Sequence, residues 1–386
     1  MTVTLHAHNA GAMKFVLGRA AAMFKHPTLR NITLSCVNFD AGIGLDDWPE
    51  TEHKWTPLQS LTLIECNVNV RFLDAVLCLP KALKELAIGE RLFTFDECEP
   101  SRDPSTRTSS PLFLTALQRQ AATLQKLVHI GGKVSHMTPR QTDPTGAAKL
   151  RSLVSLEHLE IGFESHLYYY LRQNGFPPAL QSLKLADAAI SINGGHDLES
   201  SSDIAFRSLT SLVTEHLPPS LNANFQLQLN YHDHSFFRLL AQTTASPSEQ
   251  SHLLNSLFFD RPAVYKISRI MQSYHSHFCV TRELFPGGVS YIPPYMYGEE
   301  LPVEELMYHS DRFWHFNGID YQIIDDRALR DTLREKGELI MCIECRDNGF
   351  PECYNVGDGS RCIDCTRRMK RCGYERDASG RIISAI

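Results

Sequence analysis

Apolar residues recur through the first half of the chain as a short spaced pattern, Leu-x-x-Leu-x-Leu. Six copies can be read, at Leu29/Ile32/Leu34, Leu58/Leu61/Leu63, Leu83/Leu86/Ile88, Leu124/Leu127/His129, Leu156/Leu159/Ile161 and Leu180/Leu183/Leu185. The last two apolar positions of each copy stand two residues apart, the period at which strand side chains share a face. Six short strands facing a common core follow, with His129 the departure from an otherwise aliphatic series. The starts are 29, 25, 41, 32 and 24 residues apart, and the longer gaps hold polar inserts at 98–111 and 131–146 that suit loops thrown out of a regular stack. Between copies, 70–79 and 112–124 place apolar residues at helical spacing, and 12–24 fills the same place ahead of Leu29.

The second copy runs on as Leu58-x-x-Leu61-x-Leu63-x-x-Cys66-x-Val68, the leucine-rich repeat consensus with Cys at its Asn/Cys position. The expected fold is therefore α/β, an irregular leucine-rich repeat solenoid or horseshoe over 1–217. The same leucines would also suit an ordinary α/β core, but a doubly wound sheet calls for longer apolar strands and a Gly-rich phosphate loop, and neither is seen. From about residue 218 the pattern fades behind Pro218-Pro219, and 218–340 is expected to be a mixed, less regular extension. A cysteine-rich module at 341–376 and a tail at 377–386 complete the expected organisation.

In each strand the residues between and beside the inward leucines point the other way. Ser60, Thr62, Ile64, Glu85, Ala87, His158, Glu160, Ser182 and Lys184 are thus expected to line one exposed, concave surface that takes a protein partner.

Charge narrows the function classes. A formal net charge of −6 argues against a main surface built for nucleic acid, because phosphate binding needs clustered Lys and Arg. No run of about 18 apolar residues exists to span a bilayer. The first 39 residues lack Asp and Glu but contain Lys14, Arg19, Lys25 and Arg30, a bias shared with mitochondrial presequences, although the segment also fits the repeat helix.

Of eleven cysteines, six fall within 31 residues at the spacing C-x2-C-x7-C-x8-C-x2-C-x6-C, namely Cys342, Cys345, Cys353, Cys362, Cys365 and Cys372. Two C-x-x-C pairs clamp a metal through neighbouring thiolates, and tetrahedral zinc is the favoured outcome. One or two structural Zn²⁺ ions and a reducing compartment, cytoplasm or nucleus, are expected. Cys36, Cys66, Cys78, Cys98 and Cys279 are scattered and read as small buried apolar residues.

The Cys342–Cys372 spacing resembles the fungal binuclear zinc cluster, with one extra residue before Cys353. The resemblance implies two zinc ions sharing six thiolates, with Cys342 and Cys362 bridging. In that family a basic helix after the first pair contacts DNA. Here the first lobe contains Gly349 and Pro351, and the basic residues Arg367, Arg368, Lys370 and Arg371 lie in the second lobe. Nucleic-acid contact through these four, in a DNA-binding transcription regulator, is the alternative function.

The repeat strands, the segment 56–66 and the run Pro293-Pro294-Tyr295-Met296-Tyr297-Gly298-Glu299 resemble leucine-rich repeat regions of filamentous-fungal F-box proteins. That implies a protein that recognises other proteins and, in the family, presents them to a cullin ubiquitin ligase. The residues before Leu29 offer neither the space nor the motif of an F-box, so binding of a Skp-type adaptor is not expected of the chain as it stands.

His232-Asp233-His234 and His275-Ser276-His277-Phe278-Cys279 place potential metal ligands at strand spacing, each without a clear third partner in sequence. No Gly-rich phosphate loop, G-x-S-x-G elbow or H-E-x-x-H run is present, so the expectation is a non-enzymatic interaction protein.

Overall fold

A computed structural model describes residues 1–6, 15–39, 54–90, 107–131, 143–162, 165–186, 201–218, 221, 224–231, 261–283 and 304–310. The architecture is mixed α/β, built on an open, mostly parallel sheet. Its strands are β1 (Thr2–His6), β2 (Phe15–Val16), β3 (Asn31–Ser35), β4 (Val37–Phe39), β5 (Ser60–Val68), β6 (Glu85–Glu90), β7 (Lys126–Ile130), β8 (His158–Ile161), β9 (Ser182–Ala186), β10 (Gln226–Tyr231), β11 (His277–Glu283) and β12 (Glu304–His309). Ten of them form one path, β1-β3-β5-β6-β7-β8-β9-β10-β11-β12, while β2 and β4 make a side ladder onto β5. All pairings on the path are parallel except β11 with β12.

Register turns the leucine pattern into two continuous rows. Ile32, Leu61, Leu86, Leu127, Leu159, Leu183, Leu227 and Phe278 are successive neighbours across the sheet. Leu34, Leu63, Ile88, His129, Ile161, Leu185, Leu229 and Val280 form the second row. Apart from His129, these residues join a single buried cluster. A one-residue slip of any strand would turn its whole apolar set to solvent, so burial fixes the register. Backbone bonds just before the strands repeat the same step: the amides of Gln59, Lys84, Gln125, Glu157 and Gln181 donate to the carbonyls of Arg30, Gln59, Lys84, Gln125 and Glu157.

The helices are α1 (Val70–Cys78), α2 (Leu112–Gln118), α3 (Gly146–Arg151), α4 (Leu167–Leu171), α5 (Ser201–Ser211) and α6 (Arg261–Ser273). Asn69 caps α1 by accepting from the Arg71 amide at 3.0 Å, and Val70, Phe72, Leu73, Val76 and Leu77 bury one face of it. Gln120 is buried at the end of the α2 segment. Its amide donates to the carbonyls of Leu77 (2.7 Å) and Pro80 (3.0 Å), and its carbonyl oxygen accepts from the Leu83 amide at 3.0 Å. One side chain thereby satisfies three buried backbone groups and locks α1, β6 and α2 together. The stretch 12–24, expected as a repeat helix, contains the short β2 and a 3-10 helix over Gly18–Lys25 that opens on the left-handed Gly18 (φ +49°).

Two left-handed residues change the phase of the first strands. Cys36 (φ 56°) separates β3 from β4, and Glu65 (φ 51°) sits at a register shift in β5 between Ile64 and Cys66. The extra residue lets Cys66 and Val68 follow Leu61 and Leu63 into the core instead of Glu65 and Asn67. Cys66 donates to the carbonyls of Ile64 (3.3 Å) and Leu34 (3.5 Å), and burial pushes its thiol up to about 12. It acts as a small core residue, not a nucleophile. Cys279 is also buried, and Cys36 and Cys78 are half-buried.

The sheet does not stop at residue 218. β10 and β11 continue the parallel series in register, and antiparallel β12 lies along β11. Tyr308 meets Ser268 of α6 at 2.6 Å, and Ser310 accepts from the Phe278 amide at 3.1 Å.

Candidate functional site

Opposite the leucine rows, the alternate residues of the same strands form two further rows. Ser60, Glu85, Lys126, His158, Ser182, Gln226 and His277 are neighbours in the first. Thr62, Ala87, Val128, Glu160, Lys184, Gln228 and Cys279 are neighbours in the second. The structure therefore brings eight of the nine residues expected on this face into two adjoining rows. The ninth, Ile64, is 0% exposed and so offers no surface. It precedes the phase change at Glu65 and stands in a third row with Ser35, Gly89 and Ile130, all of them buried. Most of the exposed side chains on this face therefore stand in the first two rows, in which Val128 and Cys279 are themselves buried.

Polar contacts run across the strands as side-chain ladders. Ser60 donates to Glu85 at 3.2 Å. His158 Nδ1 and Ser182 Oγ lie 2.8 Å apart. Lys184 Nζ stands 3.3 Å from Glu160 Oε1, and both side chains retain less than a fifth of their surface exposed. Gln228 donates to Thr281 at 2.9 Å, and Thr281 donates to Asn230 at 3.0 Å.

A depression of about 320 Å³ opens on this face across β7 to β10, walled by Lys126, Val128, His158, Glu160, Ser182, Lys184, Gln226 and Gln228. Lys126, Val128, Gln226 and Gln228 were not among the residues the repeat pattern singled out. The first two carried a readable signal, since they flank Leu127 as Glu160 flanks Leu159. The glutamines did not, because their strand lacks the leading leucine.

His129, the odd member of its row, is 1% exposed. Its Nδ1 lies 2.6 Å from Ser165 Oγ, and its ring packs on Phe113 with centroids 4.5 Å apart. Burial, with the neighbouring His166 as a lesser cause, lowers its pKa to about 3, so the ring is neutral. It is a buried member of the core face.

Asp143 leads into α3, accepting from the Thr145 amide at 2.8 Å and from Lys149 at 2.8 Å. Burial raises the pKa of this carboxyl, but the bonds from Lys149 and Thr145 outweigh it and the net shift is downward.

His277 and Cys279 share one side of β11, and the His309 ring of β12 stands 6.1 Å from that of His277. Among the described residues no group of three His, Cys, Asp or Glu is placed to hold a metal ion. His232, His234, Cys98 and the cysteines from Cys342 to Cys372, with Arg367, Arg368, Lys370 and Arg371, lie outside the described residues. Among the described residues no helix is long and apolar enough to cross a membrane. Searches against protein-family profiles, curated proteins and solved structures return no match.

Proposed function

We propose that the chain is a non-enzymatic protein-interaction module, a leucine-rich repeat solenoid of the kind that F-box substrate receptors use, with the strand face opposite the described helices as the partner surface. The observation that carries this reading is the monotonic strand order: from β5 to β11 every strand pairs with the next in sequence, parallel and in register. A doubly wound sheet reverses its order and covers both faces. Here one face carries the apolar rows and joins the helices in the core, while the other presents Glu85, Lys126, His158, Glu160 and Lys184. A rigid sheet with a polar, partly recessed face suits recognition, because its side chains are held in place before a partner arrives.

The test uses charge reversal. A Glu160→Lys/Lys184→Glu double variant is expected to fold normally and to lose a stoichiometric partner captured by the wild-type chain in its cell of origin. An exposed helix-side variant, Arg151→Glu, retains it. Equal capture by all three proteins would contradict the reading.

The Cys342–Cys372 segment is proposed to hold structural zinc, supported by its cysteine spacing alone. Elemental analysis is expected to give one or two zinc per chain, and two would favour the binuclear arrangement. The second reading, DNA contact through Arg367, Arg368, Lys370 and Arg371, predicts duplex binding that falls steeply with salt.

A further inference from the structure

We infer that the β1 edge of the sheet is a self-association surface, on which β1 of a second copy pairs antiparallel about a twofold axis at Thr4. This does not depend on the reading of the open face. Three observations carry it.

The first is a contrast between the two ends of the sheet. At the far end the apolar rows finish at Phe278 and Val280, and antiparallel β12 adds Tyr308 to the buried core. At the near end Val3 and Leu5 extend the same rows beside Ile32 and Leu34 and pack on the core, yet both are only half-buried. Among the described residues β3 is the one ladder neighbour of β1.

The second is the direction of the β1 backbone groups. The Asn31 amide donates to the Met1 carbonyl, while the Arg30 carbonyl accepts from Ser60 on the other side of β3. Thr2 is the register partner of Asn31. Residues that bond a given neighbour alternate along a parallel strand, so Val3 and Leu5 face β3, and Thr2, Thr4 and His6 turn N–H and C=O to the outer edge. Antiparallel self-pairing centred on Thr4 then sets Thr4 against its copy and Thr2 against His6, each pair exchanging both backbone bonds. Val3 stands opposite Leu5 of the second copy in the closer, non-hydrogen-bonded pairs. The half-exposed ends of the apolar rows thereby cover each other.

The third is the chemistry of the edge. β1 reads Thr-Val-Thr-Leu-His and β3 behind it Asn-Ile-Thr-Leu-Ser, with no Lys, Arg, Asp, Glu or Pro in either. Edge strands that stay single are commonly blunted by such residues. Here no like charges on these strands meet across the axis. A strand whose middle residue points outward matches its own copy, as a twofold contact requires, and this selects a second copy over an unlike partner. One short strand pair covers less than the ~1,000 Å² of a stable interface, so the dimer is expected to form only as concentration rises.

Sedimentation velocity of the full chain, carried up to about 100 μM, reads the association. The sedimentation coefficient is expected to climb from the monomer value towards the dimer value. Thr4→Pro removes an amide that the β1–β3 ladder does not use, at an edge position where proline is tolerated. It should keep the wild-type melting temperature and weaken association by about tenfold or more. Thr4→Lys and Thr4→Glu should each weaken association through like charges at the axis, and an equimolar mixture of the two should recover it. That mixture decides the matter if Thr4→Pro lowers the melting temperature. Lys266→Glu, at an exposed position on α6, should leave association unchanged. A monomer at every concentration, a dimer indifferent to the Thr4 variants, or a mixture that recovers nothing would each overturn the inference. In a monomer, slow hydrogen exchange at the Thr4 amide would assign the edge to another segment of the same chain.

Discussion

The two faces of one sheet obey different rules. On the core face, neighbouring strands repeat the same residue type, so that Leu61, Leu86, Leu127, Leu159 and Leu183 stand side by side, all buried. On the open face, the same strands at adjacent positions carry Ser60, Glu85, Lys126, His158 and Ser182, a different chemistry at each step. Uniformity is what close packing demands, since each strand meets the same environment as its neighbour. Variety is tolerated on the open face, because the side chains of this face meet one another through cross-strand polar pairs and not through a shared apolar layer. Under the proposed reading, stability and binding fall to residues only one position apart.

Adjacent substitutions break this comparison most sharply. Leu183→Ala removes a fully buried side chain and should cost about 3 kcal/mol in unfolding free energy, whereas Ser182→Ala beside it should cost about 1 kcal/mol or less. Chemical denaturation of both variants checks this, and similar losses at the two positions would remove the distinction between the faces.

A smaller effect comes from His129, where the uniform face is interrupted. Its folded-state pKa of about 3 lies below the usual 6.5, so the unfolded chain binds the extra proton. Stability drawn from the neutral ring is complete above about pH 6.5 and is lost as pH falls from there towards 3. His129→Leu restores an aliphatic row and should flatten that part of the pH–stability curve. Loss below about pH 3.8 should persist in the variant, because the lowered carboxyl of Asp143 still has to be protonated there. An unchanged slope between pH 6.5 and 4 in His129→Leu would count against this account of the ring. A smaller effect than Leu183→Ala is expected on the open face: the Glu160→Lys/Lys184→Glu exchange keeps opposite charges facing each other and should shift stability by on the order of 1 kcal/mol.

The uniform face was also the legible one. Leucines two residues apart, repeated six times, are enough to read β3 and β5 to β9, and the rule of alternation then places Glu160 and Lys184 together. β10 and β11 escape the same reading for a specific reason. The position held by Leu180 in β9's copy is held by Asn224 ahead of β10 and by His275 ahead of β11, both with left-handed backbone (φ 70° and 55°). Only the pairs Leu227/Leu229 and Phe278/Val280 remain of the motif, too short a pattern to stand out. The depression was half legible for that reason, its β7 to β9 wall being readable and its β10 wall not. Ile64 failed as a surface residue because the phase change at Glu65 is a backbone event that alternation alone does not foresee.

The central claim, that the open face is where partners bind, is tested most directly by site-specific photo-crosslinking in the cell of origin. A benzophenone side chain placed at Thr62 or His158 on the open face, or at the exposed Ala148 of α3 on the helix side, samples the two sides of the same folded chain. Discrete crosslinked species from Thr62 and His158, and none from Ala148, are predicted. Crosslinks from Ala148 with none from the open face would contradict the account.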